Sequence, residues 1–86
     1  MDIIELIAIV KKKIEKKIKI ENIIIEDKSF LHKNHAENQK GKFHLKITLS
    51  SIELKKMGRI KSNKKVYSII SDEMKNYIHS VQILII

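Results

Sequence analysis

The chain has 86 residues, too few for more than one domain, and a domain this small buries only roughly 60% of its unfolded surface, so an enclosed catalytic cavity is not expected. Eighteen Lys and Arg against ten Asp and Glu leave a net charge of +8, which favours acidic partners: nucleic acid, an anionic membrane or an acidic protein face. The excess is almost entirely lysine, and with so many Ile and Asn beside it an AT-biased genome accounts for part of it without any functional demand. The absence of cysteine excludes a disulfide framework, a thiolate metal site built by this chain alone and a cysteine nucleophile.

The apolar run from Ile3 to Val10 precedes the first lysines, the reverse of a secretory signal, and no run approaches the roughly 20 apolar residues of a membrane span. The expected compartment is the cytoplasm. Ile3, Ile7, Val10, Ile14 and Ile18 recur at helical spacings with lysines on the other faces, and Asp2 followed by Glu5 has the spacing of a capping box. That predicts a first helix. A basic amphipathic helix can lie on an anionic membrane, but a stripe this regular is more simply a helix packed on a sheet.

Ile23, Ile24 and Ile25 are β-branched and consecutive, which predicts a mostly buried strand closed by Glu26 and Asp27. From Lys28 to Lys42 no period of 2 or 3.6 appears, so about 28–42 is a loop, and loops this long tend to be functional or disordered. Phe43, Leu45, Ile47 and Leu49 then alternate with His44, Lys46 and Thr48, which turns the first set to a core and His44 away from it. His32, His35 and His44 thus crowd one end of a hairpin. Leu54, Met57 and Ile60 mark a short helix, with Gly58 placed to interrupt it. From Asn63 onward Val66, Ile69, Ile70, Met74, Tyr77 and Ile78 mark a second long helix, and Val81, Ile83 and Ile85 a final strand. The whole reads as a single α+β domain over residues 1–86, ordered α-β-β-α-α-β, with helices on one face of a three-stranded mixed sheet.

That order is shared by class II KH-like folds, and particular residues resemble one family within them. Asp27-Lys28-Ser29-Phe30-Leu31-His32, Phe43-His44-Leu45-Lys46-Ile47, Asp72-Glu73-Met74 and Ile78-His79-Ser80-Val81 resemble the BolA family, over about residues 20–85. The family's loop motif is Glu-Ser-x-x-His, its second strand opens His-Phe, and its last strand opens with a His followed by a small and an aliphatic residue. Ser29, His32, His44 and His79 fall on those positions. Lys28 and Leu45 depart from the usual Glu and Phe, and Ser62-Asn63-Lys64 stands where Arg-His-Arg is common.

The resemblance implies an adaptor that is not an enzyme, monomeric when alone, that pairs with a monothiol glutaredoxin and glutathione around a shared [2Fe-2S] cluster in cluster trafficking or iron homeostasis. Histidines can replace cysteines on one iron of such a cluster, so the thiolates would come from the partner and imidazole from this chain. His79 is the first candidate ligand, His32 the second and His44 the third; His35 has no assigned role.

Two other functions compete with this one. Lys55, Lys56, Arg59, Lys61, Lys64 and Lys65 form a basic patch around the short helix, and the family includes transcriptional regulators, so DNA binding on the order of 10⁻⁴ to 10⁻⁶ M through charge is the alternative. Gly58-Arg59-Ile60-Lys61 has only the first glycine of the Gly-x-x-Gly loop by which KH domains approach a nucleic-acid backbone. A triad of Asp27, Ser29 and His32 is the weakest reading, because a long loop on a small domain neither fixes nor shields such groups.

Overall fold

In the computed structural model the element order is α1 (Ile3–Lys17), β1 (Asn22–Asp27), β2 (Phe43–Ser50), α2 (Ile52–Met57), α3 (Arg59–Ile69), α4 (Ser71–Asn76) and β3 (Ile78–Ile85). The structure describes residues 1–29 and 42–86, so His32 and His35 lie outside the described residues. β2 is the central strand, antiparallel to β1 and parallel to β3, and the three helices between β2 and β3 make the crossover that a parallel pair requires. This is the expected α+β architecture with a mixed three-stranded sheet.

The first helix starts where the sequence places it. The Asp2 carboxylate accepts the Glu5 N–H at 2.8 Å, and Lys16 and Lys17 sit in the last turn, where the helix dipole favours cations. Its buried side chains are Leu6, Val10 and Ile14; Leu6 belongs to the stripe and Ile7 is only half-buried at its margin. They meet Leu45, Ile47 and Leu49 of β2, together with Leu54, Val66, Ile70 and Ile78, in one core on the helix-covered side of the sheet.

Three expectations need correction. The Ile23–Ile25 run is not buried throughout: Ile23 and Ile25 pack on the core while Ile24 is 48% exposed, because helices cover one face only and β1 alternates across the sheet. Ile24, Thr48 and Leu84 form a row on the uncovered face. The stripe Leu54, Met57, Ile60 crosses a break: Gly58 (φ 83, ψ 164) ends α2 and starts α3 at once, so Leu54 is buried, whereas Ile60 belongs to a new helix and is exposed. The second long helix therefore begins at Arg59 rather than Asn63, breaks again at the fully buried Ile70 (φ −105, ψ 24) before α4, and ends by Tyr77, so that Ile78 opens β3 instead of closing the helix.

Candidate functional site

The site forms where the start of β2 meets the start of β3. The register pairs Phe43 with Ile78 but His44 with Ser80, so His79 is an extra residue in β3, a β-bulge. Without it, alternation would put Ser80 on the core side. With it, Ile78 is buried, His79 and Ser80 are both exposed, and Val81 returns to the core side. Two consecutive polar side chains are thereby presented on the uncovered face beside His44.

His44 faces away from Leu45 and the main core as alternation requires, yet it is not exposed: only 3% of its surface is accessible. Its Nδ1 and the Ser80 hydroxyl are hydrogen-bonded at 2.6 Å, and its ring meets that of His79 edge to face, centroids 4.8 Å apart and planes at 77°. The backbone is held as closely. The His44 N–H donates to Ser29 Oγ at 3.1 Å, the Lys28 N–H donates to the His44 carbonyl at 2.7 Å, and the Ser29 N–H donates to Asp27 Oδ1 at 2.9 Å. Ser29 and Asp27 thus act as fasteners that tie the end of β1 to the first turn of β2. The Ser29 hydroxyl accepts a main-chain N–H and the Asp27 carboxylate holds a backbone amide, so both side chains are engaged by the backbone; the third residue of the triad reading, His32, lies outside the described residues.

Of the candidate ligands, the structure brings His79 and His44 into contact. Among the described residues no group of three or more His, Asp or Glu side chains is arranged to hold a metal ion. Ser80 and the bulge are what sequence reasoning missed. The signal was there, since Ile78 and Val81 stand three apart in a strand whose later apolar residues stand two apart.

The basic candidates lie elsewhere, at the corner between α2 and α3. Lys55, Gly58, Arg59, Ser62 and Asn63 line a groove of about 470 Å³ whose other wall is Ile83–Ile85 of β3. Lys56, Lys61 and Lys64 are exposed nearby, while Lys65 is partly neutralised by Glu53 at 3.4 Å. No helix among the described residues is long and apolar enough to cross a membrane.

Known structures share this fold. BolA1 from Arabidopsis thaliana superposes with a TM-score of 0.77 at 21% identity, covering 93% of this chain and 88% of that one. The BolA domain of SufE1 from Arabidopsis thaliana gives 0.75 at 22% identity, with 91% and 86% covered. A Bol-like protein from Babesia bovis gives 0.71 at 16% identity, with 92% and 80% covered. No curated protein sequence matches the chain. The sequence profile of the BolA-like protein family matches residues 14–86, a span that holds the bulge, His44 and His79 together: the chain belongs to the BolA family.

Proposed function

We propose that this chain is an adaptor that pairs with a monothiol glutaredoxin around a shared [2Fe-2S] cluster, in cluster trafficking or iron homeostasis in the cytoplasm. The observation that carries the reading is the exposed imidazole of His79, set on a bulge in a strand and backed by the fixed ring of His44. A metal ligand on a sheet strand is better fixed than one on a loop, because the paired residues on either side of it, here Ile78 and Ser80, anchor its backbone.

The donor set fits a shared centre. Imidazole nitrogen suits iron, and the chain has no thiolate to complete a set by itself. The remaining ligands belong, in this reading, to a cysteine of the glutaredoxin and to glutathione. When bound, such a cluster supplies transferable iron and sulfide, and histidine ligation raises its reduction potential. His79 is the primary ligand from this side, with His32, which lies outside the described residues, the second candidate and His44 the third.

The test is anaerobic mixing of the chain with a cluster-loaded monothiol glutaredoxin, followed by visible circular dichroism with iron and sulfide assays on the isolated complex. A new spectrum that His79→Ala abolishes supports the reading. An unchanged spectrum on mixing overturns it.

The groove at the α2–α3 corner favours a second reading, DNA binding by a regulator. Lys55 and Arg59 on its rim suit phosphate, and the Gly58 backbone lets a strand approach closely. Sequence-selective binding that survives elevated salt and falls with Arg59→Glu supports it. Loss of all binding near physiological salt leaves only the net charge.

A further inference from the structure

We propose that His44 is a positioning residue for His79 and not itself a ligand, and that the Ser80 hydroxyl is what holds it in that role. This rests on the adaptor reading and narrows its three candidate histidines. A cluster arriving on a partner needs a ligand it can reach, and His44 is 3% accessible while His79 is exposed. His44 cannot simply swing outward either. Its backbone is fixed by Ser29 Oγ on the amide and the Lys28 N–H on the carbonyl, and its ring, out of solvent and against His79, is held at Nδ1 by Ser80 at 2.6 Å.

What so fixed a ring can do is act on its neighbour. It lies edge to face with His79 at 4.8 Å and 77°, which limits the orientations open to an exposed side chain that would otherwise sample several rotamers. The bulge is essential to this arrangement, because it alone puts His79 and Ser80 on the same side of the sheet, one as the presented group and the other as the clasp on the ring behind it. Groups that orient a metal's ligands without touching the metal are a general feature of metal sites, and losing one typically weakens binding about 10- to 100-fold.

Two measurements test this, the first on the chain alone. Long-range ¹H–¹⁵N correlations of the imidazoles should show one tautomer for His44, which Ser80→Ala converts to a mixture, and side-chain relaxation at His79 should report greater mobility in Ser80→Ala and in His44→Gln. Unchanged order at His79 in both variants overturns the proposal. Ser80→Ala removes a single oxygen from an exposed residue, so the test survives if His44→Gln does not fold. The second measurement uses the complex with cluster-loaded glutaredoxin and glutathione, in which ¹⁵N hyperfine couplings of the reduced cluster count the histidine nitrogens. Ser80→Ala and His44→Gln should keep the wild-type number of strongly coupled nitrogens while losing the cluster to a chelator roughly tenfold faster, whereas His79→Ala should lose a coupling outright. A coupling that disappears in His44→Gln makes His44 a ligand and overturns the proposal. If the wild-type chain takes up no cluster from the glutaredoxin, the adaptor reading fails, and the measurement on the chain alone still decides whether His44 and Ser80 order His79.

Discussion

Lys13 and Glu73, sixty residues apart in sequence, meet at 2.7 Å and tie α1 to α4. Glu73 is buried, and its second oxygen, Oε1, has no hydrogen-bond partner among the described residues, so the lysine is the compensation for taking this carboxylate out of water. The hydrogen bond that Lys13 donates to Glu73 raises the Lys13 pKa above the ordinary 10.5, helped by the charges of Glu73 and Asp72 and opposed by partial desolvation. A raised lysine pKa adds stability that is fully present below pH 10.5 and is lost as pH climbs through the higher folded value. The urea midpoint of the wild type should therefore exceed that of Lys13→Met by a constant margin up to about pH 10, and the margin should shrink above it. A margin that stays flat to pH 12 would contradict this.

Ser51 performs two tasks with one hydroxyl, accepting the Leu54 N–H at 3.2 Å as the cap of α2 and donating to the Lys19 carbonyl at 2.8 Å. Ser51 is 1% exposed, so its removal leaves the buried Leu54 N–H without a partner and takes the donor from the Lys19 carbonyl. Ser51→Ala should lose about 1–3 kcal/mol in chemical denaturation. Ser51→Thr should lose least. Ser51→Asp should do worse than Ala despite its quality as an ordinary cap, because a carboxylate offers the Lys19 carbonyl no proton.

Gly58 lies at φ 83 and ψ 164, a region open to glycine and almost no other residue, yet an added Cβ would meet no atom within 4 Å. The penalty for substitution is thus purely torsional. Gly58→Ala should cost about 1–3 kcal/mol, and Gly58→Asn should be no milder, since asparagine tolerates the left-handed helical region but not this one. Thermal denaturation of the two variants checks the ranking.

Ile47 and Ile24 are both isoleucines in strands of the same sheet, and among the described residues the helices cover only one of its faces. Ile47→Ala empties a fully buried position at the centre of β2 and should cost about 2–5 kcal/mol, a large part of the roughly 5–15 available to a domain. Ile24→Ala, on the open face, should stay within about 1 kcal/mol. Equal losses would mean that the open face is covered in solution.

The same contrast explains what could be read beforehand. The first helix and the central strand were legible because each buries one face, and burial of one face writes a period into the residues: Val10 and Ile14 in α1, Leu45, Ile47 and Leu49 in β2. Position within the sheet writes no such period, so three consecutive isoleucines looked alike although only Ile23 and Ile25 turn inward. The break at Ile70 was hidden because Val66, Ile70 and Met74 keep helical spacing through it. His44 and His79 were picked out as residue types in a familiar order. The 2.6 Å bond between Ser80 and His44 joins positions 36 apart, and no local pattern encodes it.

The bulge in β3 sets two residues, His79 and Ser80, where a regular strand would have one. Excise Ser80 and the parity of the strand becomes regular: Ile78, Val81, Ile83 and Ile85 still point inward, His79 stands directly opposite His44, and the shortened chain keeps every apolar anchor it had. Apolar packing therefore gives no reason to retain the irregularity; what its removal takes away is the Ser80 hydroxyl on the buried His44 ring. A deletion variant that still unfolds cooperatively, weakened only by about the 1–3 kcal/mol of one buried hydrogen bond, yet no longer orients His79 would show a strand carrying one amino acid more than its apolar packing needs.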